Sequence, residues 1–401
     1  MIETIGAAWQ RHKNRHVNED SGFVELFISK RLIQGAAAAL MGIFVPIYLY
    51  ELTGQQFYII GLYFALLSFL YVVLLVPGMY AANRIGFSHA LIVGALGSIG
   101  QFGTLFLMNE ANVWNLLPLL AVCIVLFRIF HWVPYHVDFT LFTHTGERGR
   151  VVSMSFATIA FMGVIGPILA GFIIAQAGYQ ALFTVAITLL IAAAISYAFV
   201  PETPTHFSWG YLETLRKLFT KRFVGVTVGE FANGAEVAIT LIVWPIFLFE
   251  LLQGNIFEIG AVSTLIVAVT IVLQLLLGRY LDSREESKFK TLEWGSKLYA
   301  LGWIARIFVL SAAQVFLVGL YHNIMRIFTK TPFSAILYDM SAEQGKYVDE
   351  FTVLREMAGH SGRAVSLVAV SILTFYVPIA WTFVIAAFAS LAMNFVYQIS
   401  R

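Results

Sequence analysis

Charge is scarce in this chain. Of its 401 residues 12% are Asp, Glu, Lys or Arg, against 59% hydrophobic. A soluble domain carries about 25% charged residues, so this balance, with a mean hydropathy of +0.80, excludes one and places the chain in a bilayer. Cysteine is scarcer still. The single Cys123 excludes an internal disulfide framework and, lying in an apolar stretch, reads as a small core filler. No glycine-rich loop ends in Lys-Ser or Lys-Thr, which argues against a P-loop ATP motor. The histidines His89, His131, His136, His144, His206, His322 and His360 are scattered without a compact ligand motif, so no metal and no other cofactor is expected. No window resembles a soluble catalytic or nucleic-acid-binding domain, so neither an enzyme nor a nucleic-acid partner is expected.

What is present is apolar length. The windows 32–52, 57–80, 87–108, 113–139, 150–176, 180–200, 222–251, 258–280, 292–311, 313–338, 352–377 and 379–400 are each long enough to cross about 30 Å of hydrocarbon as a helix. The expected fold is all-α and polytopic, with twelve transmembrane helices. One set of connections holds Lys30, Arg31, Arg84, Arg148, Arg150, Arg216, Lys217, Lys221, Arg222, Arg284, Lys288, Lys290 and Lys346; the other, near 53–56, 109–112, 176–179, 252–257, 311–313 and 377–379, holds neither Lys nor Arg. That asymmetry puts both termini in the cytoplasm. The polar start, with Arg11, Lys13 and Arg15, is unlike a cleavable signal and reads as a cytoplasmic tail.

The second half repeats the first. Phe44-Val45-Pro46-Ile47-Tyr48-Leu49-Tyr50-Glu51-Leu52 returns about 199 residues later as Val243-Trp244-Pro245-Ile246-Phe247-Leu248-Phe249-Glu250-Leu251. Gly61 matches Gly260, Gln34-Gly35 matches Asn233-Gly234, and Arg128-Ile129-Phe130 with Pro134 matches Arg326-Ile327-Phe328 with Pro332. Chance supplies Ile and Phe between apolar helices, but not Arg and Pro at equal spacing. Duplication inside a membrane protein points to a transporter built around a central pathway. The implied organisation is a tail at 1–30, a six-helix bundle at 31–200, a cytoplasmic connector with an amphipathic segment at 201–221, and a second bundle at 222–401.

Two six-helix halves, a cytoplasmic connector and inside termini resemble the major facilitator superfamily. The loop Gly78-Met79-Tyr80-Ala81-Ala82-Asn83-Arg84-Ile85-Gly86 resembles that family's latch, with Asn83 where an acid is usual. The loop Gly278-Arg279-Tyr280-Leu281-Asp282-Ser283-Arg284 keeps more of the pattern. The resemblance implies gating by Asp282 with Arg279 or Arg284, and by Asn83 and Arg84; a solvated loop charge is the competing reading. In the fifth span, Gly163-Val164-Ile165-Gly166-Pro167-Ile168-Leu169-Ala170-Gly171 resembles a stretch enriched in exporting antiporters. There Gly166 and Pro167 are expected to shape a seam between the halves, with ordinary close packing as the competitor.

Intramembrane charges carry the chemistry. Glu230 and Glu236, with Asn233 between them, fall in the seventh span, and Glu356, His360 and Arg363 share one face of the eleventh at i, i+4 and i+7. A carboxylate in lipid must be protonated, hydrated or paired, so Glu236, Glu356, His360 and Glu230 are the proton-coupling candidates, with structural ion pairing as the alternative. Arg128, Arg326 and Arg363 offer forks for an anionic cargo group or a coupling salt bridge. Gln34 and Asn233 suit hydrogen bonding to cargo, and Trp132, Tyr135 and Trp244 suit contact with its apolar part. Arg306, near the middle of the ninth span, reads as structural.

The expected protein is a secondary active transporter working by alternating access, driven by a proton gradient and functional as a monomer in a bacterial cytoplasmic membrane. Its expected partners are the lipid bilayer and a small organic anion, zwitterion or amphipathic, lipid-like cargo. The fifth-span resemblance favours export by proton antiport over three alternatives: import, lipid translocation, and a non-transporting sensor.

Overall fold

The computed structural model describes residues 28–142, 148–200, 207–281, 288–342 and 347–398, and these are helix, turn and bend. Apolar runs become helices because a backbone in lipid must satisfy its polar groups within its own segment. The first span is irregular. A π-helical turn, Ile28–Gln34, leads into α1 (Gly35–Met41), and α2 (Phe44–Leu52) leaves it at 43°. Pro46 has no N–H to return to Gly42, and the chain bends there. The repeated fragment repeats the device: α8 (Val224–Ala238) passes through a π-helical turn, Ile239–Val243, before α9 (Trp244–Leu251), whose second residue is Pro245.

Between these lie α3 (Phe57–Ile85), α4 (Phe87–Leu107), α5 (Val113–Phe142), α6 (Arg148–Tyr197) and the short α7 (Tyr211–Leu218). Gly86, at φ 88°, alone separates α3 from α4, and Gly178, at φ 78°, breaks α6 where two spans were expected. A side chain would strain both turns. Then follow α10 (Ile256–Leu281), α11 (Lys288–Arg306), α12 (Ala312–Ala342), α13 (Val348–Leu373), a 3-10 turn Ile379–Thr382, α14 (Phe383–Ala392) and α15 (Phe395–Gln398).

Among the described residues six helices are long and apolar enough to cross a bilayer, and the bent first pair makes a seventh. The later helices carry more charge: Lys288, Lys290, Glu293 and Lys297 on α11, Arg326 and Lys330 on α12, Arg355, Glu356 and Arg363 on α13. The ninth window is also displaced, to 288–306, so Arg306 ends its helix instead of lying near its middle.

In the first half α4 packs on α5 and α6, α1 on α6, and α3 on α5. In the second half α8 packs on α13 and α14, and α11 on α12 and α14. The two sets meet along α3 with α13 and α6 with α10, and at α2 with α9. Large apolar side chains such as Leu62, Leu66 and Phe69 on α3 point outward, as a lipid-facing surface requires. The connector is pinned from both sides. Asn83 Nδ2 donates to the Phe207 carbonyl at 3.0 Å and the Tyr80 hydroxyl to that of Trp209 at 2.7 Å, while Ser208 donates through its N–H and hydroxyl to Glu350 at 3.0 and 2.6 Å. Its helix α7 buries Thr214 and Leu218 and exposes a Glu213–Lys217 pair at 3.1 Å.

Candidate functional site

Glycines let α8 and α13 approach at backbone distance. A Cβ on Gly234 would collide with the Gly359 carbonyl, and one on Gly362 with the carbonyl of Phe231. This contact buries the polar face of α8. Glu236 has no exposed surface, and three side chains surround its carboxylate. Lys330 of α12 meets Oε2 at 2.5 Å, and Oε1 accepts from Tyr299 of α11 and Thr240 of the following turn, both at 2.6 Å. Lys330 also donates to Asn233 Oδ1 at 2.6 Å, Asn233 Nδ2 donates to Glu230 Oε2 at 2.9 Å, and Arg355 of α13 donates to Glu230 Oε1 at 2.7 Å. One continuous line of charge and hydrogen bonds thus runs Arg355, Glu230, Asn233, Lys330, Glu236, Tyr299, across four helices.

A second polar group sits on the seam between α3 and α13. The Tyr71 hydroxyl donates to Glu356 Oε2 at 3.3 Å, and its ring lies 4.1 Å from that of His360. His360 Nε2 is 3.8 Å from Glu356, too far for a hydrogen bond. Arg128 and Arg363 lie within electrostatic reach of each other and of Glu356. Arg128 Nη1 and Arg363 Nε are buried without an acceptor among the described residues.

The structure therefore gathers Glu236, Glu230 and Asn233 in one network and Glu356, His360, Arg363 and Arg128 around the seam. The repeat partners are used differently. Gln34 accepts from Tyr197 at 3.3 Å while Asn233 joins the network, and Arg128 is half-buried whereas Arg326 is exposed. Trp132 and Tyr135 form a cluster with Lys30, whose ammonium is 4.0 and 5.4 Å from their ring centres; Trp244 lies 3.8 Å from the Arg306 guanidinium. Of the expected latch, Asn83 holds the connector and Arg84 is exposed. Arg279 lies in α10 with its side chain undescribed, and Asp282 and Arg284 lie outside the described residues. The principal residue missed was Lys330. It stands one turn after Arg326 on the same helix, a spacing that could have flagged it. Tyr71, Tyr299 and Thr240, being neutral, gave no such signal.

The small-residue stretch of α6 is spent on packing. A Cβ on Gly166 would come within 2.8 Å of Ala39 on α1, while the Pro167 carbonyl and Gly171 lie against Gly260 of α10. Gly260→Ala is expected to force α6 from α10 at a cost of about 1–3 kcal/mol, read as a lower unfolding temperature in detergent. Gly103→Ala is the control, since its added Cβ meets nothing within 4 Å.

The comparison with curated proteins returned no match. The fold is similar to that of several solved transporters: a peptide transporter POT in complex with alafosfalin (11% identity, 95% of this chain and 94% of that one, TM-score 0.65), the peptide transporter POT with sulfate (12%, 94% and 93%, 0.65), and a POT family transporter in complex with 5-aminolevulinic acid (12%, 96% of each, 0.65). These similarities correct the expectation of export. The family model of the Major Facilitator Superfamily matches residues 31–348. An integral membrane chain matched over that length belongs to the Major Facilitator Superfamily, as a secondary transporter and not an enzyme.

Proposed function

We propose that the chain is a proton-coupled importer of a small zwitterion or organic anion, working by alternating access. The observation that carries this reading is the Glu236–Lys330 pair, buried at the meeting of α8, α11 and α12 and linked through Asn233 to Glu230 and Arg355. A fully buried carboxylate is tolerated because Lys330, Tyr299 and Thr240 surround it. Adding a proton to Glu236 removes its attraction for Lys330, whose ammonium is then held by Asn233 alone and reorganises the rest of the line. That is a two-state element which a proton can bias. Cargo enters the scheme at the other polar group. Arg128 and Arg363 present unused guanidinium donors from opposite halves, suited to a carboxylate or phosphonate, and Glu356 suits an amine.

In this reading the chain crosses the membrane twelve times in bundles at 31–200 and 222–401, with the 201–221 connector and both termini cytoplasmic. It works as a monomer, and Asp282 with Arg279 or Arg284 latches the cytoplasmic side. Two structurally similar transporters hold alafosfalin and 5-aminolevulinic acid, which sets the first panel. In proteoliposomes with acid outside, at least one of 5-aminolevulinic acid, alafosfalin and simple dipeptides is expected to accumulate several-fold above its level without a gradient. Equal uptake in both conditions would remove proton coupling from the account.

A further inference from the structure

We infer that the buried Arg306 is an anion site, filled by a monovalent halide of the chloride class, inside the second half of the chain and apart from the seam of α3 and α13. Arg306 ends α11 with 5% of its surface exposed. The carbon of its guanidinium lies 3.8 Å from the ring centre of Trp244 and 4.6 Å from that of Trp303. Aromatic rings attract the cation but accept little from its N–H groups, which still require hydrogen-bond acceptors. Nε and Nη1 are buried without an acceptor among the described residues, as is Nε1 of Trp303, one of the two indoles in contact with the guanidinium. Such donors in a membrane interior demand an acceptor.

Among the described residues no side-chain carboxylate supplies it. Glu236 is within electrostatic reach of Arg306, but no ion pair joins them: its Oε2 is paired with Lys330 at 2.5 Å and its Oε1 accepts from Tyr299 and Thr240. Lys330 pairs with that carboxylate, Arg326 is exposed and Glu230 is matched by Arg355, so Arg306 is left as a buried charge with no paired carboxylate among the described residues. Water would satisfy the N–H groups and leave the charge unbalanced; a halide does both. A spherical ion takes donors from a guanidinium and an indole without fixed angles and suits a site walled by two aromatic rings. By balancing Arg306 it leaves Glu236 to Lys330.

The test uses chloride as the probe and needs no cargo. The full chain in detergent is unfolded thermally while sodium gluconate is replaced by sodium chloride at constant ionic strength. A saturable, chloride-specific rise of several degrees is expected in the wild type and none in Arg306→Gln. Trp303→Phe keeps an aromatic face, removes the N–H, and is expected to weaken the half-saturating concentration at least threefold; it decides the matter if Arg306→Gln fails to fold. Equal unfolding of the wild type in both salts, or a full chloride response in the deciding variant, would overturn the site.

Discussion

Replacing Lys330 with alanine is expected to destabilise the protein by about 3–5 kcal/mol, because it strands the fully buried Glu236 carboxylate without its cation. Tyr299 and Thr240 would still donate to Oε1, but two neutral hydroxyls do not replace an ammonium at 2.5 Å. The double variant Glu236→Gln/Lys330→Met removes both charges and keeps most of the volume, so it is expected to recover to within about 1 kcal/mol of wild type, since replacing a buried pair as a unit is often neutral. Thermal unfolding in detergent of the wild type, Glu236→Gln, Lys330→Met and the double variant, which together close a cycle, measures the coupling. Additive losses would show that the two charges do not depend on each other.

The second large effect is steric. Gly362→Ala puts a methyl group into the Phe231 carbonyl, and Gly234→Ala does the same against Gly359. Backbone cannot rotate away as a side chain can, so the only relief is separation of α8 from α13. That separation pulls Arg355 from Glu230 and loosens the line to Glu236. Each substitution is expected to cost about 3 kcal/mol, the upper end of ordinary overpacking, and more when combined. The check is the yield of monodisperse protein and its unfolding temperature beside Gly103→Ala. Wild-type behaviour in both would mean that the helices are not in backbone contact.

The fold was largely readable because membrane sequence is constrained: apolar windows located α3, α4, α5, α8 and α10, although the spans holding Pro46 and Pro245, read as continuous, are both interrupted in the structure. Where reading failed, charge was the cause. Lys288 and Lys290 enter α11 as helix and move that span toward its start, so Arg306 falls at its end. The acids of the site were visible because Glu236 and Glu230 are costly in lipid and stand out. Their partners were not, because nothing in sequence says that Tyr299 of one helix and Lys330 of another face the same carboxylate. Pseudo-equivalent positions are used differently in the two halves. Arg128 and Arg326 occupy matching positions, but the residue matching Glu236 is Ala37, and among the described residues the ion-pair line lies in the second half.

Comparing net accumulation with exchange decides whether Glu236 couples a proton to movement of cargo. Proteoliposomes of wild type and Glu236→Gln are loaded with whichever compound of the panel accumulates, and two rates are measured: uptake driven by acid outside, and one-for-one exchange of labelled for unlabelled compound without a gradient. Glu236→Gln is expected to lose gradient-driven uptake at least tenfold while keeping exchange, since exchange needs the two access states but no net proton. Gradient-driven uptake that persists at wild-type rate in Glu236→Gln would contradict it and move the coupling to another group.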